Sequence, residues 1–143
     1  MNKEKLTVLY KKYNLTADDV FKHQHYLIIT RSGIDKIQAL EKIHITYEAI
    51  TSTPEFCVVK ASATVTTNKG GLGDLEIQSF GSAKFGGKEK NADGKWIAIG
   101  TTQTWYVMEM AEKRAMSRAV LKLTGFYELG VFGEDESEDF KKQ

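Results

Sequence analysis

Residues 104–125, TWYVMEMAEKRAMSRAVLKLTG, form the longest stretch with an unbroken helical pattern. Thr104 is a suitable N-cap and Gly125 a suitable left-handed C-cap, and no Gly or Pro lies between them. The pattern therefore predicts one long helix. Its small and apolar residues recur at helical spacing and would form one buried face, made of Trp105, Met108, Ala111, Ala115, Met116, Ala119, Val120 and Leu123.

A basic row runs along the edge of this predicted face. Arg114, Arg118 and Lys122 are spaced at i, i+4 and i+8. Like charges at that spacing cost a few tenths of a kcal/mol per pair, so helix stability alone does not favour them. Two interpretations stay open: three solvated side chains, or a row of contacts to phosphates.

Three predicted strands precede the helix. Residues 43–50 alternate, Pro54 interrupts the pattern, and alternation resumes over 56–65 and 75–84. The flexible segment 68–74 reads as a hairpin turn. Small core-facing residues would let a helix approach closely, namely Ala61, Ala63, Gly81 and Ala83. Lys60 and Lys84 fall on the opposite, outer face.

The N-terminal third adds a helix, a strand and a second helix. Residues 3–13 predict a short amphipathic helix that ends at Asn14. Residues 16–19 are typical of the cap of a further turn or helix, which would reach about Gln24. Tyr26–Thr30 predicts a buried strand, although so short an apolar run also fits a helix. Ser32 opens a helix that reaches Lys42. Arg31 would be exposed beside that helix N-terminus, where backbone N–H groups favour an anion. The predicted fold class is α+β: an antiparallel β-meander in a β-β-β-α core packed on one long helix.

Residues 86–100 form a glycine-rich excursion with a hairpin signal at Asp93-Gly94. Its basic residues are Lys88, Lys90 and Lys95, and the aromatic residues Phe85 and Trp96 lie near them in the sequence. The three lysines and Trp96 are candidate contacts to nucleic acid. Such a loop suits single-stranded nucleic acid, because phosphates take the charge and bases stack on rings. In the alternative interpretation, Trp96 covers an edge of the core.

Charge is unevenly distributed. Residues 134–143 contain five acidic residues and two lysines, a net charge of −3, whereas the rest has 18 basic and 14 acidic residues. Residues 1–133 are therefore expected to form one basic domain, followed by a disordered acidic tail. The tail either competes for a basic groove and recruits a nuclease or replication protein, or only adds solubility.

Several classes of protein are not favoured. The chain lacks an apolar run of about 18 residues and an N-terminal signal pattern, so we expect a cytoplasmic protein without membrane contact. The single Cys57 faces the predicted core and is a poor nucleophile. His23 and His25 have no third ligand at metal spacing, and no phosphate-binding loop occurs. We expect no enzyme activity, metal or cofactor.

Residues 105–125 resemble the helix of the single-strand annealing proteins, the phage and eukaryotic superfamily that includes the Erf and Sak types. The similarity lies in an alanine-rich run leading into Lys113-Arg114-Ala115 and a later Gly125. The glycine comes later than in the eukaryotic branch, and Ser117 stands where a base is expected. The chain is therefore more similar to phage-type members.

This resemblance implies an ATP-independent protein that forms an oligomeric ring, holds single-stranded DNA in an outer basic groove and acts in a bacterial host cell. It also implies that Lys113, Arg114 and Arg118 contact DNA from the helix, and Lys60 and Lys84 from the sheet. Two alternatives remain: a protein that binds and protects single strands without annealing them, and a phage structural or assembly protein whose helix is an interface.

Overall fold

The computed structural model describes residues 3–23, 25–66, 74–86, 88–98, 100 and 106–136. These residues form three helices, eight strands and two 3-10 turns. In chain order they are α1 Lys3–Lys12, β1 Val20–His23, β2 Tyr26–Ile29, α2 Arg31–Glu41, β3 His44–Ser52, β4 Phe56–Thr66, β5 Asp74–Lys84, β6 Lys88–Lys90, β7 Trp96–Ala98, α3 Val107–Thr124, the 3-10 turn Tyr127–Leu129, β8 Val131–Gly133 and the 3-10 turn Glu134–Glu136.

The predicted α+β meander is confirmed. Strands β3, β4 and β5 pair antiparallel in that order, and α3 packs across β4 and β5. The alternation of β4 has the expected direction, since Cys57, Val59, Ala61 and Ala63 are buried. The predicted hairpin turn between β4 and β5 falls on residues 68–74, of which only Asp74 is among the described ones.

The close approach of α3 to the sheet depends on Gly81. A Cβ atom built on Gly81 would lie 2.3 Å from the carbonyl oxygen of Ala111 and 2.4 Å from the amide nitrogen of Ala115. No side chain fits between the two backbones, because real carbon atoms never come so near to backbone atoms. The small residues of strand and helix therefore set the distance between the two layers, as the sequence predicts.

Helix α3 ends as predicted and buries more residues than predicted. Gly125 adopts φ 91° and closes the helix in the left-handed conformation. The predicted cap Thr104 and the residue Trp105 lie outside the described residues. Val107, Arg114, Ser117 and Leu121 are buried in addition to the predicted alanines. Ser117 and Leu121 are buried because Gly133 of β8 lies against them, and Arg114 lies at the β5 edge.

The second sheet was not predicted as such. Strand β1 pairs antiparallel with β2, and β8 pairs parallel with β2 on the other side. The prediction of a turn or helix reaching Gln24 is wrong over residues 20–23. Asp19 uses its side chain inside the turn that precedes β1 instead of capping a helix, and the β-branched and aromatic residues Val20 and Phe21 then continue as a strand.

Asp19 is a buried carboxylate that ties this turn to α2. Its Oδ2 atom accepts hydrogen bonds from Lys36 Nζ at 2.6 Å and from the Thr16 amide at 2.9 Å, and its Oδ1 atom accepts from Ser32 Oγ at 3.0 Å. These contacts, the one from Lys36 first, lower the pKa of Asp19 from 3.8 to about 2. The carboxylate therefore stabilises the fold in its charged form.

The two N-terminal helices are confirmed. Helix α1 spans Lys3–Lys12, and Asn14 adopts φ 55° just after it. Helix α2 begins one residue earlier than predicted, at Arg31, because Thr30 is its N-cap and accepts a hydrogen bond from the Gly33 amide. No helix in the part of the chain that the structure describes is long and apolar enough to cross a membrane.

Candidate nucleic-acid interface

The outer face of the three-stranded sheet, on the side opposite α3, carries two lysine–phenylalanine pairs. In the register of β4 and β5, Phe56 lies opposite Lys84 and Lys60 lies opposite Phe80. Directly opposed side chains on one face have Cβ atoms about 5 Å apart. On each of the two strands, one phenylalanine and one lysine face solvent, and each phenylalanine lies opposite a lysine of the other strand. We call these four residues the Phe–Lys face.

Both rings of the Phe–Lys face are accessible to solvent. Phe56 is 40% exposed and Phe80 is 48% exposed, and Lys84 is exposed as well. Lys60 is less accessible and forms an ion pair with Glu48 at 3.1 Å. The outer-face positions of Lys60 and Lys84 agree with the sequence prediction. The sequence analysis did not include the two phenylalanines among the nucleic-acid contacts. The alternation of β4 and β5 places them on the outer face, and the antiparallel register places each of them opposite a lysine.

Arg118 lies beside this face, whereas Arg114 does not belong to an exposed row. The Nη1 atom of Arg118 donates to the carbonyl oxygen of Phe80 at 2.9 Å. Arg114 is only 4% exposed, and its Nη1 atom is 3.5 Å from the carbonyl oxygen of Ser82. The prediction of Arg114 as an accessible phosphate contact is therefore wrong. The helix turns this side chain towards the edge of the sheet.

The remaining predicted bases of α3 stand over aromatic rings. Lys113 Nζ is 5.9 Å from the ring centroid of Tyr106, and Lys122 Nζ is 5.3 Å from that of Tyr127. Both distances allow a cation–π interaction. Lys113 and Lys122 thus lie on α3, which the sheet separates from the Phe–Lys face.

The predicted hairpin exists and presents a lysine with an aromatic ring. Strands β6 and β7 pair antiparallel, and Gly94 adopts φ 79° in the turn. Trp96 is 64% exposed, so it does not cover the core, and Lys90 Nζ lies 5.4 Å from its ring centroid. Lys95 is exposed at the turn, and Lys88 begins β6.

The hairpin begins at the basic end of the Phe–Lys face. Lys88 follows Lys84 by four residues, and a Cβ atom on Gly100 would lie 2.4 Å from the Gly86 amide nitrogen. The two glycines thus bring the ends of the excursion together next to Lys84. The acidic Glu76 lies at the far end of β5. Lys84 and the lysines of the hairpin therefore lie at the end of the sheet opposite Glu76, together with the exposed acids Glu55, Glu89 and Asp93.

Arg31 lies away from this surface and is engaged by acids. Its Nε atom is 3.5 Å from Asp35, and its Nη1 atom is 3.6 Å from Asp135. Asp135 also accepts a hydrogen bond from the buried Ser117 Oγ at 2.9 Å. The first three residues of the predicted disordered tail thus form a turn against the body. Residues 137–143 lie outside the described part and contain two acids and two lysines, so the whole charge of −3 belongs to Glu134–Glu136.

Among the described residues, no group of three or more His, Cys, Asp or Glu side chains is placed to hold a metal ion. No protein-family model, curated protein or solved structure matches the chain. The resemblance to the single-strand annealing proteins and the ring that it implies therefore stay predictions.

Proposed function

We propose that the protein binds single-stranded DNA on the Phe–Lys face and its adjoining hairpin, and anneals complementary strands without ATP as a homo-oligomer. The observation that carries this proposal is the alternation of exposed rings and lysines on a sheet face open to solvent. Single-strand binders combine a positive surface that follows the phosphates with aromatic rings that stack on successive bases.

The roles divide by residue type. Phe56, Phe80 and Trp96 stack on bases, whereas Lys84 and Lys90 neutralise phosphates and release counterions. Arg118 adds a charge at the side of Phe80. Stacking does not read base edges, so binding tolerates any sequence. It also leaves the base edges available to a second strand, which supports annealing over simple protection.

Binding is tested by the fluorescence anisotropy of a labelled oligothymidylate over a series of salt concentrations. Stacking on one base is worth about 1–3 kcal/mol, so Phe80→Ala should raise Kd about 5- to 150-fold. Lys84→Gln should reduce the slope of log K against log salt by about 0.7. Phe21→Ala is the matched control, because Phe21 is exposed on the other sheet, and its Kd should not change.

Mixing complementary oligonucleotides separates the candidate functions. Faster pairing in the presence of the protein supports annealing, and tight binding with slower pairing indicates a protecting protein. A structural or assembly protein would instead form a ring or tube and show no salt-dependent DNA binding. If Phe80→Ala and Lys84→Gln bind DNA like the unmodified protein, the Phe–Lys face is not the binding site.

A further inference from the structure

The two edges of the three-stranded sheet are not equivalent, and the β5 edge is occupied. The amide of Phe85 donates a hydrogen bond to the backbone carbonyl oxygen of Glu55 at 2.6 Å. In an antiparallel pair such hydrogen-bonded positions alternate, so the odd-numbered residues of β4 and β5 exchange backbone hydrogen bonds. Even-numbered residues of β5 therefore direct their backbone groups away from the sheet. Two of those carbonyls, Phe80 and Ser82, accept from Arg118 and Arg114. The arginine side chains occupy the space that an added strand would need.

Among the described strands, β4 alone pairs with β3, so the other edge of β3 has no neighbouring strand. The carbonyl of Phe56 accepts from the Thr53 amide at 2.9 Å, so even-numbered residues of β4 face β3. In the register of these strands, Ile45, Tyr47 and Ala49 then direct their backbone groups away from β4. Residues 44 and 46–50 are exposed, and β3 contains no Lys or Pro. The register shifts at a bulge between Ala49 and Thr51. This bulge follows the segment with outward backbone groups, so residues 45–49 keep a regular edge with which an added strand can pair.

We propose that two copies of this chain associate by pairing β3 with β3, antiparallel, about a two-fold axis at Tyr47. This register is self-complementary. Tyr47 lies opposite Tyr47 of the second copy, Ile45 lies opposite Ala49 of the second copy, and Thr46 lies opposite Glu48 of the second copy. The three residues with outward backbone groups form the hydrogen bonds of the new ladder. Glu48, the only Asp, Glu, Lys or Arg residue of β3, faces a threonine, so no like charges are opposed.

The two-fold pairing joins the nucleic-acid surfaces. An axis perpendicular to the sheet keeps each face on its own side, so two Phe–Lys faces lie on one side of a six-stranded sheet and both α3 helices on the other. A head-to-tail ring through the sheet would instead pair β3 with β5 of the next copy. That contact requires Arg114 and Arg118 to leave the β5 carbonyls. The geometry thus favours a closed dimer over the ring that the resemblance implies.

The association is tested without nucleic acid. A monomeric protein would remove the homo-oligomer from the proposed function and leave the proposed DNA binding untouched. Light scattering coupled to size exclusion at micromolar concentration should give the mass of a dimer. Tyr47→Lys places two lysines opposite each other and should give a monomer with unchanged circular dichroism. Leu75→Lys is the matched control, because Leu75 is exposed on the same side of the sheet at β5, and it should stay a dimer.

The register is tested by cross-linking. Opposed residues in a hydrogen-bonded antiparallel pair have Cα atoms about 5.5 Å apart, within the range that a disulfide spans. Tyr47→Cys should therefore form a disulfide-linked dimer under mild oxidation, whereas Leu75→Cys should not. The native Cys57 is buried and should contribute no link. A monomeric unmodified protein, a Tyr47→Lys variant that still associates, or an assembly larger than a dimer overturns the proposal.

Discussion

Replacing Asp19 by asparagine removes a charge that the fold uses. The carboxylate is almost inaccessible and lies 2.6 Å from Lys36 Nζ. Its contacts lower the pKa from 3.8 to about 2. A tenfold change in a proton equilibrium corresponds to about 1.4 kcal/mol, so the ionised group contributes about 2 kcal/mol to stability. For a chain of this size, losing that amount lowers Tm by roughly 6–8 °C.

The sign of the pH dependence follows from the direction of the shift. Because the pKa is lower in the folded state, the contribution of Asp19 is complete above about pH 5 and is lost as pH falls from about 4 to about 2. Urea unfolding followed by circular dichroism should show Asp19→Asn about 2 kcal/mol less stable at pH 7, with the difference shrinking towards pH 2.

The neighbouring Asp18 provides the control for this experiment, because it is exposed and Asp18→Asn should change stability by less than about 0.5 kcal/mol. If Asp19→Asn is as stable as the unmodified protein at pH 7, the contacts of the carboxylate do not stabilise the fold. If its deficit is the same at pH 2, the loss has another cause than charge.

Two further perturbations test the packing of α3 and the role of the acidic turn. Gly81→Ala should cost more than about 3 kcal/mol in urea unfolding, because its Cβ would lie 2.3 Å from the Ala111 carbonyl. The outward-facing Ser82→Ala is its control, and equal stabilities would contradict the close contact. Truncation after Gly133 removes Asp135 from the buried Ser117 and from Arg31, so it should lower stability by about 1 kcal/mol and strengthen DNA binding at low salt. Truncation after Glu136 should change neither quantity, and weaker DNA binding after the longer truncation would exclude a competing role for the turn.

The sequence predicts the meander well because two constraints act together there. Alternation over β4 and β5 determines which side chains face α3, and the small residues at Ala61 and Gly81 allow only a closely packed helix. The lysines on the opposite face follow from the same alternation. These features are local or depend on a single neighbouring layer, so a pattern is sufficient to identify them.

The predictions from sequence are wrong where a contact between distant parts of the chain determines the structure. Strand β8 has only three residues, Val131–Gly133, too few for a periodic signal, and it forms only because β2 provides a partner. Arg114 has the same spacing as Arg118 and Lys122, but the rotation of α3 against the β5 edge buries it. The Thr16–Asp19 segment looks like a helix cap, and only the fold shows Lys36 and Ser32 around the Asp19 carboxylate.

The parallel pairing of β2 with β8 has a consequence for biosynthesis. Leu27 pairs with Val131, so about 100 residues are made after β2 before its neighbour exists. At roughly 5–20 residues per second, a ribosome needs about 5–20 s for that distance. Ile28 and Ile29, which are inaccessible in the finished fold, lack this neighbouring strand throughout the interval. The nascent chain therefore presents an apolar strand edge to chaperones, and the second sheet can close only after synthesis has passed β8.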